Sequence, residues 1–296
     1  MNTKDIARLL DQEFRIVETA DPDMIKHALN GASRDLVSSA FRERQTGLMF
    51  EFADSVDTVY CTTFLTNETV TAILDRLTGP SLVFTHHPFD YHEDKRGLCT
   101  VSDELVQRLR EVGVAVYAIH APLDVGLSIS VSQSLASRLS LSEPKPFCTA
   151  IGGYLGVYGR IETDTVFGIA QILGVSLDLD TVDIFDNGGT VALTAVVAGG
   201  GDQLDIIKEA QQLGCTTYIT GTAVHRWERM TKANQEFRDF ARKAEINLVG
   251  GTHYNTEKWA VQDVAALLNQ HGFQAEFIED PVLSQYKEGN LRIESN

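Results

Sequence analysis

Three short segments of this chain carry the residue types that hold metal ions. Thr85-His86-His87-Pro88 sets two imidazoles side by side. Adjacent histidines in a turn can point at two different places, and neutral imidazole is the commonest nitrogen ligand of zinc and iron. His120-Ala121-Pro122-Leu123-Asp124 adds another imidazole and a short carboxylate. Asp124 can bind or bridge ions, and His120 can be a ligand or can orient one. Gly250-Gly251-Thr252-His253-Tyr254-Asn255-Thr256-Glu257 puts His253 and Glu257 four residues apart. On a helix that spacing places both side chains on one face, where they can chelate one ion, and the glycines permit close backbone approach. Each segment also has a plainer explanation. His-His can be a hydrogen-bonded polar turn, and Asp124 can be a turn or helix cap. Asn255 or Thr256 can be an N-cap, with Glu257 favoured by the helix dipole, and that role is compatible with metal binding.

One such segment means little, but three that each follow an expected strand are harder to dismiss. Their ligands are expected to meet in the cleft between two lobes. Three histidines and two carboxylates exceed what one tetrahedral ion with an open position needs. They suit two divalent ions with carboxylate bridging and water in the remaining sites. Mixed nitrogen and oxygen donors favour zinc, iron or manganese over calcium. Other segments point less clearly. His225, after Thr220-Gly221-Thr222, can line the same cleft or sit in a surface helix cap. The turn Ala198-Gly199-Gly200-Gly201-Asp202 can hold a phosphate on its amides, but lacks full Rossmann or Walker spacing, and a plain glycine turn explains it equally well. His92 reads as a solvated residue of an acidic loop. The serine-rich stretch 127–137 has no Gly-x-Ser-x-Gly elbow, so no serine nucleophile is suggested.

The elements that must position these residues alternate along the chain. Residues 1–48 read as helices with a turn at Asp21-Pro22-Asp23. Strands are expected at 56–63, 81–85 and 114–119, with helices at 68–77 (capped by Asn67), 102–112 (capped by Ser102) and 130–139. Residues 142–146 carry two prolines and no periodicity, and read as the main linker. Beyond it, strands are expected at 152–161, 181–185, 191–197, 216–219, 246–249 and 274–278. Helices are expected near 165–173 and at 202–213, 227–244 and 257–270, and a loose polar tail from residue 283. Alternating strands and helices predict an α/β fold: two related α/β lobes with mostly parallel or mixed sheets and a metal site in the cleft between them. The first lobe is expected to span 1–141 and the second 147–296, with the last segment packing back on the first lobe.

Composition narrows the partners. The chain has 296 residues, 25 Lys and Arg against 41 Asp and Glu, and a formal charge of −16. A phosphate backbone would be repelled, which disfavours nucleic acid. The polar start lacks a signal peptide's apolar core, and no apolar run approaches the roughly 18 residues of a membrane span. Cys61, Cys99, Cys148 and Cys215 are far apart and form no Cys-x-x-Cys pair, so reduced thiols in a cytoplasmic protein are expected.

At the three motifs the chain resembles the Nif-three-like family, also called GTP cyclohydrolase 1 type 2 proteins. His86-His87-Pro88, His120 to Asp124, and Gly251 to Glu257 match its pattern, and the resemblance runs from about Gly47 to about Gly272. It implies two α/β lobes binding two metals and a homo-oligomer, often a hexameric ring. It also implies His86, His87, Asp124, His253 and Glu257 as the ligands. The chain departs from the family at Phe64, where an Asp is frequent, at the reduced segment Thr46-Gly47-Leu48, and at Thr222, where an acidic residue is frequent. These departures are expected around the cleft rather than on the metals. The leading expectation is a metal-dependent hydrolase acting on a nucleotide, phosphoester or C–N bond of a small molecule, with His120 or His225 as general acid or base. The alternative is a metal-binding regulatory or scaffold protein without turnover. A third reading, a sugar- or nucleotide-binding α/β protein without metal, requires structural histidines.

Overall fold

Runs of β-branched and aromatic residues form buried strands, and a serine or threonine hydroxyl caps the start of several helices, among them those that begin after Thr66, Ser102, Ser130 and Thr165. A computed structural model describes residues 2–18, 32–92, 97–225 and 227–285. The expected turn at Asp21–Asp23 and the end of the expected tail lie outside these residues. In chain order the first elements are α1 (Thr3–Glu13), α2 (Ser39–Arg44), β1 (Gly47–Phe50), β2 (Thr58–Phe64), α3 (Asn67–Leu74), β3 (Ser81–His87), β4 (Asp90–His92) and β5 (Gly97–Cys99). Then come α4 (Asp103–Glu111), β6 (Val114–Ala118), α5 (Ala121–Asp124), α6 (Val131–Arg138), β7 (Ser142–Ala150), β8 (Gly153–Arg160), α7 (Val166–Leu177) and β9 (Asp183–Phe185). The rest are β10 (Leu193–Val197), α8 (Leu204–Gln212), β11 (Cys215–Thr220), α9 (Thr231–Lys243), β12 (Asn247–Gly250), α10 (His253–Gln270) and β13 (Ala275–Phe277).

The chain divides into two α/β units. The first runs from α1 to Ile129 and takes in Ala260–Val282. Its sheet has the order β1-β6-β3-β2-β13. β6, β3, β2 and β13 are parallel and β1 is antiparallel at the edge. Every residue of β2 and β3 is buried, as expected for strands inside a parallel sheet covered on both faces. Phe41, Phe50, Val70, Ile73, Val83, Leu109 and Val116 belong to its core.

The second unit is Ser130–Trp259. Its mixed sheet runs β7-β8-β10-β11-β12-β9, with β10, β11 and β12 parallel and the outer pairs antiparallel. Ile207, Tyr218, Phe237 and Leu248 lie in its core. Helix α10 begins in this unit, and its residues from Ala260 onward pack with the first.

Several expected boundaries move. Residues 142–146 are not a linker but the start of edge strand β7. Prolines are tolerated there because an edge strand leaves N–H positions outside the ladder. The register shifts between Ser142 and Lys145, where Glu143 has φ 51°. Helix α3 is capped by the Thr66 hydroxyl, which accepts the Thr69 N–H at 3.0 Å, while Asn67 Oδ1 accepts the Ser102 N–H at 2.9 Å. The expected helix at 227–244 is a 3-10 turn at Glu228–Met230 followed by α9. Among the described residues no helix is long and apolar enough to cross a membrane.

Candidate metal centre

β3 extends two residues further than expected, so His86 and His87 are strand residues rather than turn residues. The ladder explains this. Phe64 pairs with His87, the Ile119 N–H donates to the Thr85 carbonyl at 3.0 Å, and the Leu65 N–H donates to the His87 carbonyl at 3.0 Å. Both imidazoles are buried, at 0% and 1% exposure. After β6 the chain turns at once into α5, with Pro122 in its first turn, where a missing N–H costs nothing. The N–H groups of Leu123 and Asp124 donate to the His120 carbonyl at 2.8 and 3.2 Å. Asp124 is therefore the last residue of that helix and not an N-cap.

That one turn brings the first set of donors together. Asp124 Oδ1 is 3.4 Å from His86 Nε2, and Asp124 Oδ2 is 3.7 Å from His120 Nε2. Ring centroids are 4.1 Å apart for His86 and His87, 5.2 Å for His86 and His120, and 4.8 Å for His87 and His120. His86, His87 and His120 each offer a nitrogen such that all lie within 4.8 Å of one another. His86 Nδ1 lies 2.9 Å from the Ile119 carbonyl oxygen. A carbonyl only accepts, so Nδ1 carries a proton, and in the neutral ring the Nε2 lone pair faces the Asp124 carboxylate. Two electron-rich atoms face each other across a gap that a cation would fill, and the outward bond to a carbonyl is the usual support of a ligating histidine.

The second unit carries its own pair. α10 starts at His253, four residues earlier than expected, because Thr252 rather than Asn255 or Thr256 is the cap. Thr252 Oγ1 accepts the Asn255 N–H at 3.0 Å and the Asn255 side-chain amide at 2.9 Å. His253 and Glu257 then share one face, with His253 Nε2 3.1 Å from Glu257 Oε1. Glu257 is 2% exposed. Gly199 (φ 65°) lies against this pair, and a Cβ there would overlap the Glu257 carboxylate and come within 3.1 Å of His253 Nε2.

His225 joins no group of three close donor atoms among the described residues, and its Nδ1 accepts the Trp227 N–H at 3.3 Å. The Ala198–Asp202 turn is a wall for Glu257 rather than an anion cradle, since it brings its own buried carboxylate, Asp202. Phe64 lies directly against a donor: its ring stacks on His87 with centroids 4.1 Å apart and planes 3° from parallel. Only the pairing of β2 with β3 reveals that contact. Cys61, Cys148 and Cys215 form no disulfide. Burial pushes the Cys215 thiol up to about 12 and raises Cys61 further, so neither is a nucleophile near neutral pH.

Two mixed sheets with strand-end imidazoles and carboxylates define the class: an α/β protein with His and Glu groups able to bind a metal ion. The comparisons give the family. Residues 36–282 match Duf34/NIF3 (NGG1p interacting factor 3), and the chain belongs to that family. A protein of Pyrococcus horikoshii named GTP cyclohydrolase 1 type 2 homolog is 26% identical over 251 residues, covering 82% of this chain and 92% of its own. A protein of the same name from Halobacterium salinarum is 26% identical over 209 residues, covering 69% and 77%. Among solved structures, the chain is similar to protein ybgI, of unknown function, with TM-score 0.70, 19% identity and 95% and 99% of the two chains covered. It is also similar to the Staphylococcus aureus hypothetical protein SA1388, with TM-score 0.69, 15% identity and 98% and 99% covered.

Proposed function

We propose that the chain binds two divalent metal ions through His86, His87, Asp124, His253 and Glu257, and that it is a metal-dependent hydrolase of a small molecule. The observation that carries the reading is the buried His86, whose proton is committed to the Ile119 carbonyl while its lone pair faces Asp124. Burial of such a pair is costly without a positive charge to share. Bound there, divalent ions supply Lewis acidity and lower the pKa of water toward neutrality. In this reading His120 takes or gives a proton beside them, a role that its 3.7 Å distance from Asp124 supports. His225 is the weaker candidate for that role, since it joins no donor group. The relatives' name, GTP cyclohydrolase 1 type 2 homolog, supports a nucleotide as the substrate class and a C–N bond as the target.

Metal analysis of the purified chain against Asp124→Ala and His253→Ala tests the binding. Each variant should hold less metal while keeping the wild-type circular dichroism, and unchanged stoichiometry in both would exclude the assignment. Turnover of a panel of nucleotides and phosphoesters with metal added tests the chemistry. The stacking of an apolar ring, Phe64, on His87 favours a second reading, a metal-binding protein without turnover. Full metal occupancy with no hydrolysis across the panel would select it.

A further inference from the structure

The turn of residues 199–202 is held from both ends. At its start, the Gly199 N–H donates to Thr256 Oγ1 at 3.0 Å, one residue before Glu257. The Gly199 carbonyl accepts the N–H groups of Gly201 and Gly221 at 2.9 and 3.1 Å, and the hydroxyls of Thr220 and Thr222 approach it at 3.3 and 3.4 Å. At its end stands Asp202, 7% exposed. Asp202 Oδ1 accepts the Thr222 hydroxyl at 2.8 Å, and Oδ2 accepts the Asn234 amide at 2.9 Å. The same Asn234 amide nitrogen donates to the Thr222 carbonyl at 2.9 Å. Asp202 forms no ion pair among the described residues, so two donated hydrogen bonds are what offset its burial.

We propose that Asp202 is a positioning residue for the His253–Glu257 donor pair. It fixes Thr222 and Asn234, these fix the 199–202 turn, and Gly199 of that turn is the surface on which the Glu257 carboxylate rests. The geometry leaves little slack. A Cβ on Gly221 would lie 2.9 Å from His253 Cα and 2.8 Å from the Gly199 carbonyl oxygen, so the turn, the residue that follows β11 and the first turn of α10 are in direct contact. A shift of the turn therefore passes to Glu257. Metal coordination tolerates deviations of only about 0.2 Å, and supporting groups of this kind are worth roughly 10–100-fold in affinity. This inference rests on the metal reading above.

The experiment titrates cobalt(II) into the metal-free full-length protein and records affinity, the visible d–d absorption of the bound ion, and the thermal midpoint of the metal-free chain. Asp202→Asn and Thr222→Val should each weaken binding about 10–100-fold and shift the visible bands. Thr222→Ser, which keeps the hydroxyl, should restore both. Wild-type affinity and spectrum in folded Asp202→Asn or Thr222→Val would overturn the proposal. So would a loss in Thr222→Ser as large as that in Thr222→Val. If Asp202→Asn does not fold, Thr222→Val and Thr222→Ser decide. Failure of the wild type to bind cobalt would instead remove the metal reading, and this inference with it.

Discussion

Gly199→Ala should disable the His253–Glu257 pair at a modest cost in stability. Gly199 has φ 65°, in the left-handed region. An L side chain there costs roughly 1–2 kcal/mol. The new methyl would also overlap the Glu257 carboxylate, which sits 3.1 Å from His253 Nε2 and is almost fully buried. To restore van der Waals contact the carboxylate must retreat by on the order of 1 Å, several times the tolerance of a coordination bond. The metal-free chain should therefore lose about 1–3 kcal/mol. At about 2–4 °C per kcal/mol for a domain of this size, that is a drop of roughly 2–12 °C in the thermal midpoint. Metal affinity should fall by about 10–100-fold or more. Gly200→Ala is the matched control, since its Cβ would meet nothing nearer than His253 Cε1 at 3.8 Å. Calorimetric titration with zinc or manganese, beside thermal unfolding of the metal-free proteins, separates the two effects. Wild-type affinity in Gly199→Ala, or an equal loss in Gly200→Ala, would refute the reasoning.

Two further outcomes follow from the rest of the fold. Asp280, 1% exposed, accepts the hydroxyls of Thr66 and Thr69 at 2.5 and 2.8 Å at the start of α3 and the Val282 N–H at 2.8 Å. Asp280→Ala should cost about 2–3 kcal/mol in urea denaturation and leave metal affinity unchanged, because it anchors the segment after β13 rather than a donor. The buried thiols set an alkaline limit. Cys215 titrates near 9.0 when exposed and about 12 in the folded chain, and Cys61 moves in the same direction. Above pH 9 the unfolded chain loses these protons first, so their contribution is constant below pH 9 and stability falls as pH rises toward 12. Cys215→Ala should flatten that decline in denaturation curves measured across the window. Both thiols should resist a disulfide reagent at pH 8 until the chain is unfolded.

Most of the elements and all the donor types are legible in the amino-acid sequence, because they depend on local physics. Apolar patterning marks β2, β6, α4 and α6, and Ser102 before a periodic run marks the cap of α4. The four-residue spacing of His253 and Glu257 puts them on one face only if the chain is helical there; the expected helix begins at Glu257, and it is the Thr252 cap that carries α10 back to His253. Where local signals compete with pairing, the sequence misleads. Pro144 and Pro146 read as a linker, yet they lie in an edge strand, where a ladder partner outweighs the residue's own preference. His86 and His87 read as a turn, yet pairing with β2 on one side, Phe64 against His87, extends β3 through them, while the β6 ladder ends at Thr85.

Contacts between distant segments were left to the tertiary structure. The His86 tautomer depends on a carbonyl 33 residues away, which only the alignment of β3 with β6 brings within 2.9 Å. Phe64 meets His87 because β2 pairs with β3, not because of anything near either residue in sequence. Gly199, Asp202, Thr222, Asn234 and Glu257 come from four separate stretches, and no local rule relates them. Side-chain chemistry is a property of each residue, and so the sequence declares it. Mutual position is a property of packing, where long-range pairings compete and the fold alone selects one arrangement.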